Sequence, residues 1–410
     1  MKIVFSHPTG NANVRAAATA LANENILGKF YTTIASFPGN MFDAVSNFPR
    51  LAEIKRRQYN PVLEPYTQML VPWLEAGRIL APKMGMKKLT KNETGFFNIS
   101  RIYNEFDKKV AQRLEHDKFD GIYAYEDGAF HSFNEAKRLG LSRFYDLPIG
   151  YWRTSRILLA NEKEKWPDWA NTLTGFSDSD EKLARKDQEL QLATKIFVAS
   201  RFTAKTLEDY PGQLAPVEVI PYGFPSVNAG REYEKISKNR PLKLLFVGGL
   251  SQRKGIANLF SAVEKLKGYV ELTVIGHKPN NDCPALNEAL SKHCWIHSLP
   301  HVEILKKMRE HDVFVFPSLF EGFGLVITEA MSQGTPVITT DRTAGPDLID
   351  HECNGWLIEA GSTDAIQESI EQILYKPELV EQAGKAALKT ASERPWSIYG
   401  SELARSLRIG

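Results

Sequence analysis

Short, almost continuously apolar segments alternate with helical segments along the chain, in two series. The clearest apolar segments lie in the second half, at residues 242–248, 270–276, 313–318 and 336–340. Strands that are apolar at nearly every position belong to parallel sheets covered by helices on both faces. The sequence therefore predicts an α/β fold of two Rossmann-like, doubly wound domains, with a cleft between the carboxyl ends of their strands.

The first half of the chain carries the other series. Its predicted strands lie at residues 2–6, 30–34, 121–125, 143–145 and 195–199, and its predicted helices at 14–23, 98–117, 129–138 and 178–192. A stretch rich in Pro and Gly, residues 211–240, separates the two series. Such stretches mark domain boundaries. We therefore predict one domain over residues 1–222 and a second over residues 223–392.

Residues 36–95 interrupt the first series and are predicted to form a helical insertion. The segment holds nine Lys or Arg residues against five Asp or Glu residues, a local balance of +4, with Trp73 and other apolar side chains interspersed. One interpretation is a set of helices with solvated faces over a core stripe. The other is a surface that rests on anionic lipid, as a peripheral membrane contact. Both interpretations remain open at the level of sequence.

Composition excludes several classes of protein. With 43% hydrophobic and 24% charged residues, the chain is neither disordered nor fibrous. A net charge of +2 gives no argument for binding nucleic acid. Cys283, Cys294 and Cys353 lack metal-site spacing and are predicted to be free thiols in a reducing compartment. No apolar run is long enough for a signal peptide or a membrane span, which predicts a cytoplasmic protein.

The first segment that carries chemistry is FVGGLSQRKGIANLF, residues 246–260. A strand ends at Gly248 and Gly249, and a helix begins near Gly255. The glycines allow a close backbone approach, and the helix start offers free N–H groups and a positive dipole end. Arg253 and Lys254 add two cations in what is predicted to be an exposed loop. This combination suits a diphosphate, although a tight turn with solvated charges is the alternative.

The second segment is VFVFPSLFEGFGLVITEAMSQGTPVI, residues 313–338. A buried strand leads into a loop with Glu321, and a helix follows that Gly334 is suited to terminate. Glu329 lies more than one turn inside that helix. Carboxylates accept hydrogen bonds from vicinal hydroxyls, so both glutamates suit sugar recognition. The alternative is a surface carboxylate and a helix-face carboxylate without a ligand.

These two segments resemble the retaining glycosyltransferases of family 4, which have the GT-B architecture. Supporting similarities are LATKIFVASRFT (192–203), VIPYGF (219–224), CNGWLIE (353–359) and PWSIYGSELARSL (395–407). The resemblance is strong over residues 192–360 and at the C-terminal helix, and only architectural over residues 1–190. It implies transfer of a sugar from a nucleotide diphosphate sugar to an acceptor hydroxyl, in the synthesis of a polysaccharide, glycolipid or glycoconjugate.

The resemblance also implies roles for individual residues. Lys254, with Arg253, would neutralise the donor diphosphate, and Glu321 would bind the donor sugar near the reacting carbon. Glu329 would hold the ribose hydroxyls. The backbone positions implied in donor binding are Gly248, Gly249, Gly322, Phe323, Gly324 and Leu325. A C-terminal helix over residues 393–410 would cross back onto the first domain.

The chain departs from the family pattern at two places. Gly249 stands where the family usually has an arginine, and Arg253 is our hypothesis for its replacement. The histidine that often follows a middle strand of the first domain is absent. Asp146, or Glu126 with Asp127 one strand earlier, are the candidates for that place.

The histidines and the search for metal motifs give little further evidence of function. His7 ends the first strand, where it either faces the cleft or is satisfied within its own loop. His131 opens a helix and has a weaker case for an active-site role, and the other histidines are interpreted as peripheral. No metal motif occurs in the sequence. No obligatory cofactor or metal is expected, because fixed cations would balance the diphosphate.

Three other functions remain open beside the glycosyltransferase. The chain could be a nucleotide-sugar epimerase or a phosphorylase with the same fold. It could also be a non-catalytic protein that binds sugar nucleotides. In the favoured interpretation the partners are the nucleotide sugar donor and a saccharide, glycolipid or other hydroxyl acceptor, and the insertion at 36–95 shapes access for the acceptor.

Overall fold

In a computed structural model, the protein consists of two parallel β-sheets with helices packed against them. The structure describes residues 1–46, 54, 57–176, 178–234, 236, 240–279 and 282–409. All strand pairs among these residues are parallel. The central strands are buried along their whole length, as the continuous apolar pattern predicted. The two Rossmann-like domains are therefore confirmed.

The first sheet has seven strands within the described residues. They are β1 (Ile3–Ser6), β2 (Leu27–Thr32), β3 (Thr67–Met69), β4 (Gly121–Tyr125), β5 (Ser142–Leu147), β6 (Lys195–Val198) and β7 (Val217–Val219). Their order across the sheet is β3-β2-β1-β4-β5-β6-β7. The chain order reverses between β1 and β4, and ligands of such sheets bind beyond the strand ends at that reversal.

Eight helices accompany this sheet in the described part of the chain. They are α1 (Ala12–Asn23), α2 (Met41–Ser46), α3 (Pro72–Leu80), α4 (Ile99–Arg113), α5 (Phe130–Arg138), α6 (Trp152–Lys165), α7 (Asp180–Leu192) and α8 (Arg201–Thr206). Side-chain caps start several of them, for example Asn98 before α4 and Ser179 before α7. The helices predicted at 98–117 and 178–192 are therefore confirmed with slightly shorter bounds.

The second sheet has six strands within the described residues. They are β8 (Leu242–Val247), β9 (Val270–Ile275), β10 (Cys294–Ile296), β11 (Val313–Phe316), β12 (Val337–Thr340) and β13 (Gly355–Ile358). Their order is β10-β9-β8-β11-β12-β13. The reversal falls between β8 and β11. The two segments that carry chemistry therefore begin on neighbouring strands at the predicted ligand edge.

The helices of the second half complete the fold. They are α9 (Ile256–Lys265), α10 (Pro284–Ser291), α11 (His301–Glu310), α12 (Leu325–Ser332), α13 (Gly345–Leu348), α14 (Thr363–Tyr375), α15 (Glu378–Glu393) and α16 (Trp396–Ile409). The structure bears out the crossing of the last helix. On α16, Gly400 packs so closely on α1 that an added Cβ would lie 2.4 Å from the Cβ of Ala20. Arg408 also donates a 2.8 Å hydrogen bond to the carbonyl of Glu24.

The insertion differs from its prediction as a purely helical segment. It contributes an edge strand, β3, whose residues pair in parallel with Phe30, Tyr31 and Thr32 of β2. An edge strand needs backbone pairing on one side only, so its sequence TQM shows no apolar run. Its helices α2 and α3 are short. Residues 47–53, 55 and 56, which the predicted insertion also includes, lie outside the described residues.

Other strand bounds also differ from prediction. β2 begins at Leu27 rather than at residue 30, and the short strands β7, β10 and β13 were not predicted. These strands lie at the edges of their sheets and have only three or four residues, too few to show a pattern in the sequence. The domain boundary at 222/223 stays a prediction. None of the helices in the described ranges is long and apolar enough to span a membrane.

Candidate active site at the domain cleft

Two loops meet where the order of the second sheet reverses. Gly255 ends the β8 loop with a φ of +67°, a backbone conformation that favours glycine. A side chain there is also excluded, because an added Cβ would lie 2.0 Å from the carbonyl oxygen of Pro317 in the β11 loop. The amide of Leu319 donates a 2.8 Å hydrogen bond to the carbonyl of Arg253. The two loops are thus held together as one unit.

This unit brings the predicted Lys254, Arg253 and Glu321 together. Lys254 Nζ forms an ion pair with Glu321 Oε2, and Arg253 Nη1 lies 3.4 Å from the same oxygen. Arg253 Nη1 also donates a 2.8 Å hydrogen bond to the carbonyl of Phe320. Two cations therefore share one carboxylate. The group carries a net positive charge at the start of α9.

The expectation of an exposed loop lysine was wrong. Lys254 is only 9% exposed, since the β11 loop covers it and the ring of Phe316 lies 4.7 Å from its Nζ. Burial, and then the charge of Arg253, lower the pKa of Lys254 well below its ordinary value. A buried ammonium with reduced affinity for its proton is stabilised by any additional anion that enters the site.

Glu329 lies on the neighbouring helix, as predicted. Gly324 precedes α12 with a φ of +89°, and Gly334 follows it with a φ of +71°, so the predicted terminating glycine is confirmed. Glu329 is the fifth residue of α12 and bonds His301 at the start of α11, with 2.9 Å between Oε1 and Nε2. This hydrogen bond is the main cause that raises the pKa of His301.

A cavity of about 970 Å³ lies between the two domains. From the second domain, His301, Leu325 and Glu329 line it. From the first domain come residues 9–12 of the loop after β1, together with the side chains of Arg15, Arg57 and Arg78. The predicted cleft is therefore present, with Glu329 and Leu325 on one wall and a strongly basic surface opposite.

Gly322 and Phe323 lie where the domains touch. An added Cβ on Gly322 would lie 1.9 Å from the carbonyl oxygen of Pro148, so only glycine allows this contact. The carbonyl of Gly322 accepts hydrogen bonds from the hydroxyls of Ser200, at 2.5 Å, and Thr203, at 2.8 Å. The ring of Phe323 is buried against Tyr222. Their proposed contact with the donor stays a prediction.

The glycines after β8 have different surroundings. Gly248 donates its amide to the carbonyl of Ile275, which continues the sheet pairing. At Gly249, an added Cβ would have no heavy atom within 4 Å. Room for a ligand, or for the longer side chain usual in the family, therefore exists at this turn.

Asp146 is buried in the core of the first domain. Tyr123 donates a 2.5 Å hydrogen bond to Asp146 Oδ2, and burial raises the pKa of this carboxyl to about 7. Of the described residues that line the 970 Å³ cavity, neither Asp146 nor Glu126 is one. Glu126 instead pairs with Lys186 at 3.2 Å. The hypothesis that either acid replaces the family histidine stays a prediction.

His7 has one of its two predicted surroundings, bonded within its own loop, whereas His301 differs from its prediction. His7 is buried, with its Nδ1 accepting a 3.0 Å hydrogen bond from the amide of Thr9 and its ring 4.7 Å from that of Tyr125. Burial, and then Arg57, lower the pKa of His7 to about 3, so it is neutral at neutral pH. His131 bonds Asn104 away from the cavity. His301, interpreted as peripheral, lines the cavity.

Sequence reasoning missed His301 and the three arginines of the first-domain wall. His301 directly follows Pro300, which precedes the first residue of α11, and this was an available signal. Arg15, Arg57 and Arg78 had none. They come from different elements, and only the folded chain brings them to one wall.

Sequence comparison identifies relatives of part of the chain. The family model described as Glycosyl transferases group 1 matches residues 231–390. The chain is 32% identical over 144 residues to the amylovoran biosynthesis glycosyltransferase AmsK of Erwinia amylovora, which is 31% of this chain and 35% of that protein. It is 31% identical over 159 residues to the capsular polysaccharide biosynthesis glycosyltransferase CapM of Staphylococcus aureus, 36% of this chain and 41% of that protein. The matches thus span less than half of these curated relatives.

Solved structures match the chain over its whole length. Sucrose-phosphate synthase from Thermosynechococcus elongatus aligns with a TM-score of 0.68 and 18% identity, over 100% of this chain and 98% of that one. Anabaena HepE, in complex with UDP or with UDP-glucose, aligns with a TM-score of 0.63 over 100% of both chains, at 15% and 16% identity. At such identities the likeness establishes the fold, two Rossmann-like domains facing a cleft.

Proposed function

We propose that the protein is a retaining glycosyltransferase of family 4, because residues 231–390 match the family model described as Glycosyl transferases group 1 and the chain has the GT-B fold. It transfers a sugar from a nucleotide diphosphate sugar to an acceptor hydroxyl. The meeting of Lys254, Arg253 and Glu321 between two neighbouring loops carries the proposal. A net positive, partly buried group at a helix start is the environment that a leaving diphosphate requires.

The Lys254–Glu321 pair suggests how donor binding prepares the site. Lys254 Nζ is paired with Glu321 Oε2. A diphosphate is a stronger partner for the ammonium because it carries more negative charge, and its arrival draws Lys254 toward the phosphates. Glu321 is then released to accept hydrogen bonds from the sugar and to stabilise positive charge at the reacting carbon.

The remaining groups divide the other tasks in this proposal. Glu329 binds the ribose hydroxyls from its place in the cavity wall. The first N–H groups of α12, which have no acceptor within the helix, face the phosphates. Lys254 and Arg253 supply the fixed positive charge, so no obligatory metal ion or cofactor enters the proposed reaction. The acceptor hydroxyl gives its proton to the leaving phosphate.

The names of relatives and neighbours support a choice of substrates. HepE was solved with UDP and with UDP-glucose, which favours a uridine diphosphate sugar as the first donor to test. AmsK and CapM are named for amylovoran and capsular polysaccharide biosynthesis, which favours an acceptor in polysaccharide synthesis. A saccharide, a glycolipid or another hydroxyl compound fits this proposal.

Acceptor-dependent release of nucleotide tests the function. The purified protein is incubated with UDP-glucose, UDP-galactose or UDP-N-acetylglucosamine, with and without a panel of saccharide and glycolipid acceptors. We expect UDP to appear in proportion to a glycosylated product of retained configuration. Conversion of the donor to another sugar nucleotide without acceptor would indicate an epimerase and contradict the proposal.

We further propose that the insertion contacts the membrane, as its composition suggested. Apolar side chains of this region are unusually exposed, with Trp73 at 56% and Met84 at 69%. Trp73 and Phe96 lie next to each other, with ring centroids 6.2 Å apart. The neighbouring exposed lysines are Lys83, Lys87, Lys88 and Lys91. Apolar tips beside several lysines fit an anionic bilayer, where the protein would act peripherally at the inner face.

Vesicle flotation tests the membrane contact. We expect binding to vesicles with anionic lipid but not to neutral ones, and loss of binding in Lys87→Glu/Lys88→Glu, because each basic residue near the surface contributes about 1 kcal/mol. The exposed pair Lys385→Glu/Lys389→Glu on α15 changes charge equally and is the control. Equal absence of binding to both kinds of vesicle would contradict the membrane contact, without bearing on sugar transfer.

A further inference from the structure

Three arginines and one glutamate form a cluster on the first-domain wall of the cleft. Arg15 lies on α1, and Arg78 and Glu75 lie on α3. Arg57 lies between α2 and α3 in the chain. All three arginines line the 970 Å³ cavity. We call Arg15, Arg57, Arg78 and Glu75 the arginine cluster. The second-domain groups that face it across the cavity are His301 and Glu329.

Glu75 holds two of these arginines. Arg78 bonds it in the bidentate manner, with Nε to Oε2 and Nη2 to Oε1 both at 2.8 Å. Arg57 Nη2 pairs with Oε1 of the same carboxylate, which is fully buried. Arg15 Nη1 donates a 2.8 Å hydrogen bond to the carbonyl of Gly10. With His301 and Glu329 included, cationic groups outnumber carboxylates around the cavity.

Arg57 shows that this charge is poorly compensated. The residue is only 9% exposed, and its Nε has no hydrogen-bond partner among the residues that the structure describes. Burial first, and then the charge of Arg57, lower the pKa of the neighbouring His7, and both also act to lower the pKa of Arg15. A buried guanidinium with an unpaired N–H group costs free energy until a ligand atom accepts a hydrogen bond from it.

We infer that the arginine cluster binds an anionic group, a phosphate or a carboxylate, of the acceptor. A planar guanidinium matches both groups by paired hydrogen bonds, and the Nε of Arg57 has no partner among the described residues. Arg253 and Lys254, which take the donor diphosphate in the proposed function, are not among the described residues lining this cavity. All three arginines belong to the opposite domain. The assignment of the bound anion to the acceptor rests on the proposed function, whereas the presence of an anion site does not.

Inorganic phosphate is the probe for this site. It is titrated by calorimetry into the ligand-free protein and into protein saturated with UDP. We expect phosphate to bind in both cases with similar affinity, since the three arginines lie on the first-domain wall of the cavity whereas Leu325 and Glu329, assigned to the donor, lie on the opposite wall. Arg57→Gln should weaken phosphate binding about tenfold or more, the loss typical of one charge-assisted hydrogen bond. The exposed Arg113→Gln on α4 is the matched control and should bind phosphate normally.

Three results would overturn the inference. They are an absence of phosphate binding to wild type at millimolar concentration, its displacement by UDP, and equal affinities in wild type and Arg57→Gln. Displacement by UDP would assign the arginines to the donor instead. Thermal unfolding checks that each variant is folded, and Arg15→Gln replaces Arg57→Gln if that variant does not fold. UDP binding in the same samples tests the donor site separately, so the two proposals fail independently.

Discussion

The two walls of the cleft are built in different ways. On the second-domain wall, Lys254 and Glu321 each follow a buried strand within a few residues, and the two strands are neighbours in the sheet. On the first-domain wall, Arg15, Arg57 and Arg78 span more than sixty positions of sequence and come from separate elements. The first kind of site is recognisable in a sequence. The second kind exists only once the chain has folded.

Local constraints on the backbone explain why the second-domain wall can be recognised in the sequence. Gly255 and Gly322 are there because a side chain would collide with a carbonyl oxygen 2.0 Å or 1.9 Å away. Such glycines, beside cations and after apolar strands, form a compact pattern. The arginines of the first-domain wall have no equivalent constraint, because an arginine satisfies local structure whether or not it reaches a cavity.

The largest effect is expected at Lys254, whose removal would break the second-domain wall. Charge grows on the leaving diphosphate during the reaction, so a fixed cation gains more in the transition state than in the ground state. Lys254→Ala should therefore lower kcat by about 10²–10³. Steady-state kinetics with the donor found by the substrate screen measures this loss.

Burial of Lys254 requires a control on folding. The alanine variant leaves the partly buried Glu321 with Arg253, at 3.4 Å, in place of its closer partner Lys254, so some loss of stability is expected. Lys265→Ala on α9 removes an exposed lysine from the same domain and should retain wild-type turnover. If the single variant unfolds, Lys254→Ala/Glu321→Gln removes both charges. Wild-type turnover in a folded Lys254→Ala protein would contradict the role of this residue.

The next effect tests whether Asp146 belongs to the core of the first domain or to its wall. Burial raises the pKa of Asp146 to about 7, above its unfolded value of about 3.9. The folded state therefore prefers the neutral acid, and the free energy of unfolding falls as pH rises from about 4 to 7. By thermodynamic linkage, this difference between the folded and unfolded pKa values lowers the free energy of unfolding by about 3–4 kcal/mol over that pH range.

Asp146→Asn removes this titration while its amide oxygen can still accept the hydrogen bond of Tyr123. The variant should gain stability relative to wild type as pH rises from 4 to 8. Urea unfolding of both proteins at several pH values measures the difference. A difference that is constant with pH would argue against a neutral, buried Asp146.

Glu329→Gln tests whether the second-domain wall binds the ribose of the donor. The ribose would lose a charge-assisted hydrogen bond, which costs about 1.5–3 kcal/mol, or about tenfold to 150-fold in donor affinity. The helix should persist, since Ile327, Ala330 and Met331 make its buried contacts. Glu303→Gln, an exposed position on α11, serves as the control. Donor affinity equal to wild type in a calorimetric titration would reject ribose binding by Glu329.

The smallest effect concerns His301. Its hydrogen bond to Glu329 raises its pKa, so the pair contributes stability that is complete below about pH 6.5 and is lost as pH rises through the raised pKa. His301 is largely exposed, so the contribution is at most about 1 kcal/mol. His301→Gln should therefore be less stable than wild type at pH 5.5 and equal to it at pH 9 in thermal unfolding. A gap that grows toward alkaline pH would contradict the pairing.

The fold was predictable because burial on both faces of a sheet dictates apolar strands, and most central strands follow that rule. The edge strands β3, β7, β10 and β13 were not predicted because each has only three or four residues, too few to show a pattern in the sequence. At the site, the positions of Lys254, Glu321 and Glu329 followed from strand ends and helix starts. The burial of Lys254 did not, since it depends on how the β11 loop folds over it.

The central claim is that the β8 and β11 loops bind a diphosphate. The most direct measurement is a pair of calorimetric titrations, with UDP and with uridine, on wild type and on Lys254→Ala. We predict that wild type binds UDP at least tenfold more tightly than uridine, because the diphosphate gains charge-assisted contacts, and that Lys254→Ala loses most of this preference. Equal binding of UDP and uridine by wild type, or an undiminished preference in folded Lys254→Ala, would contradict the claim.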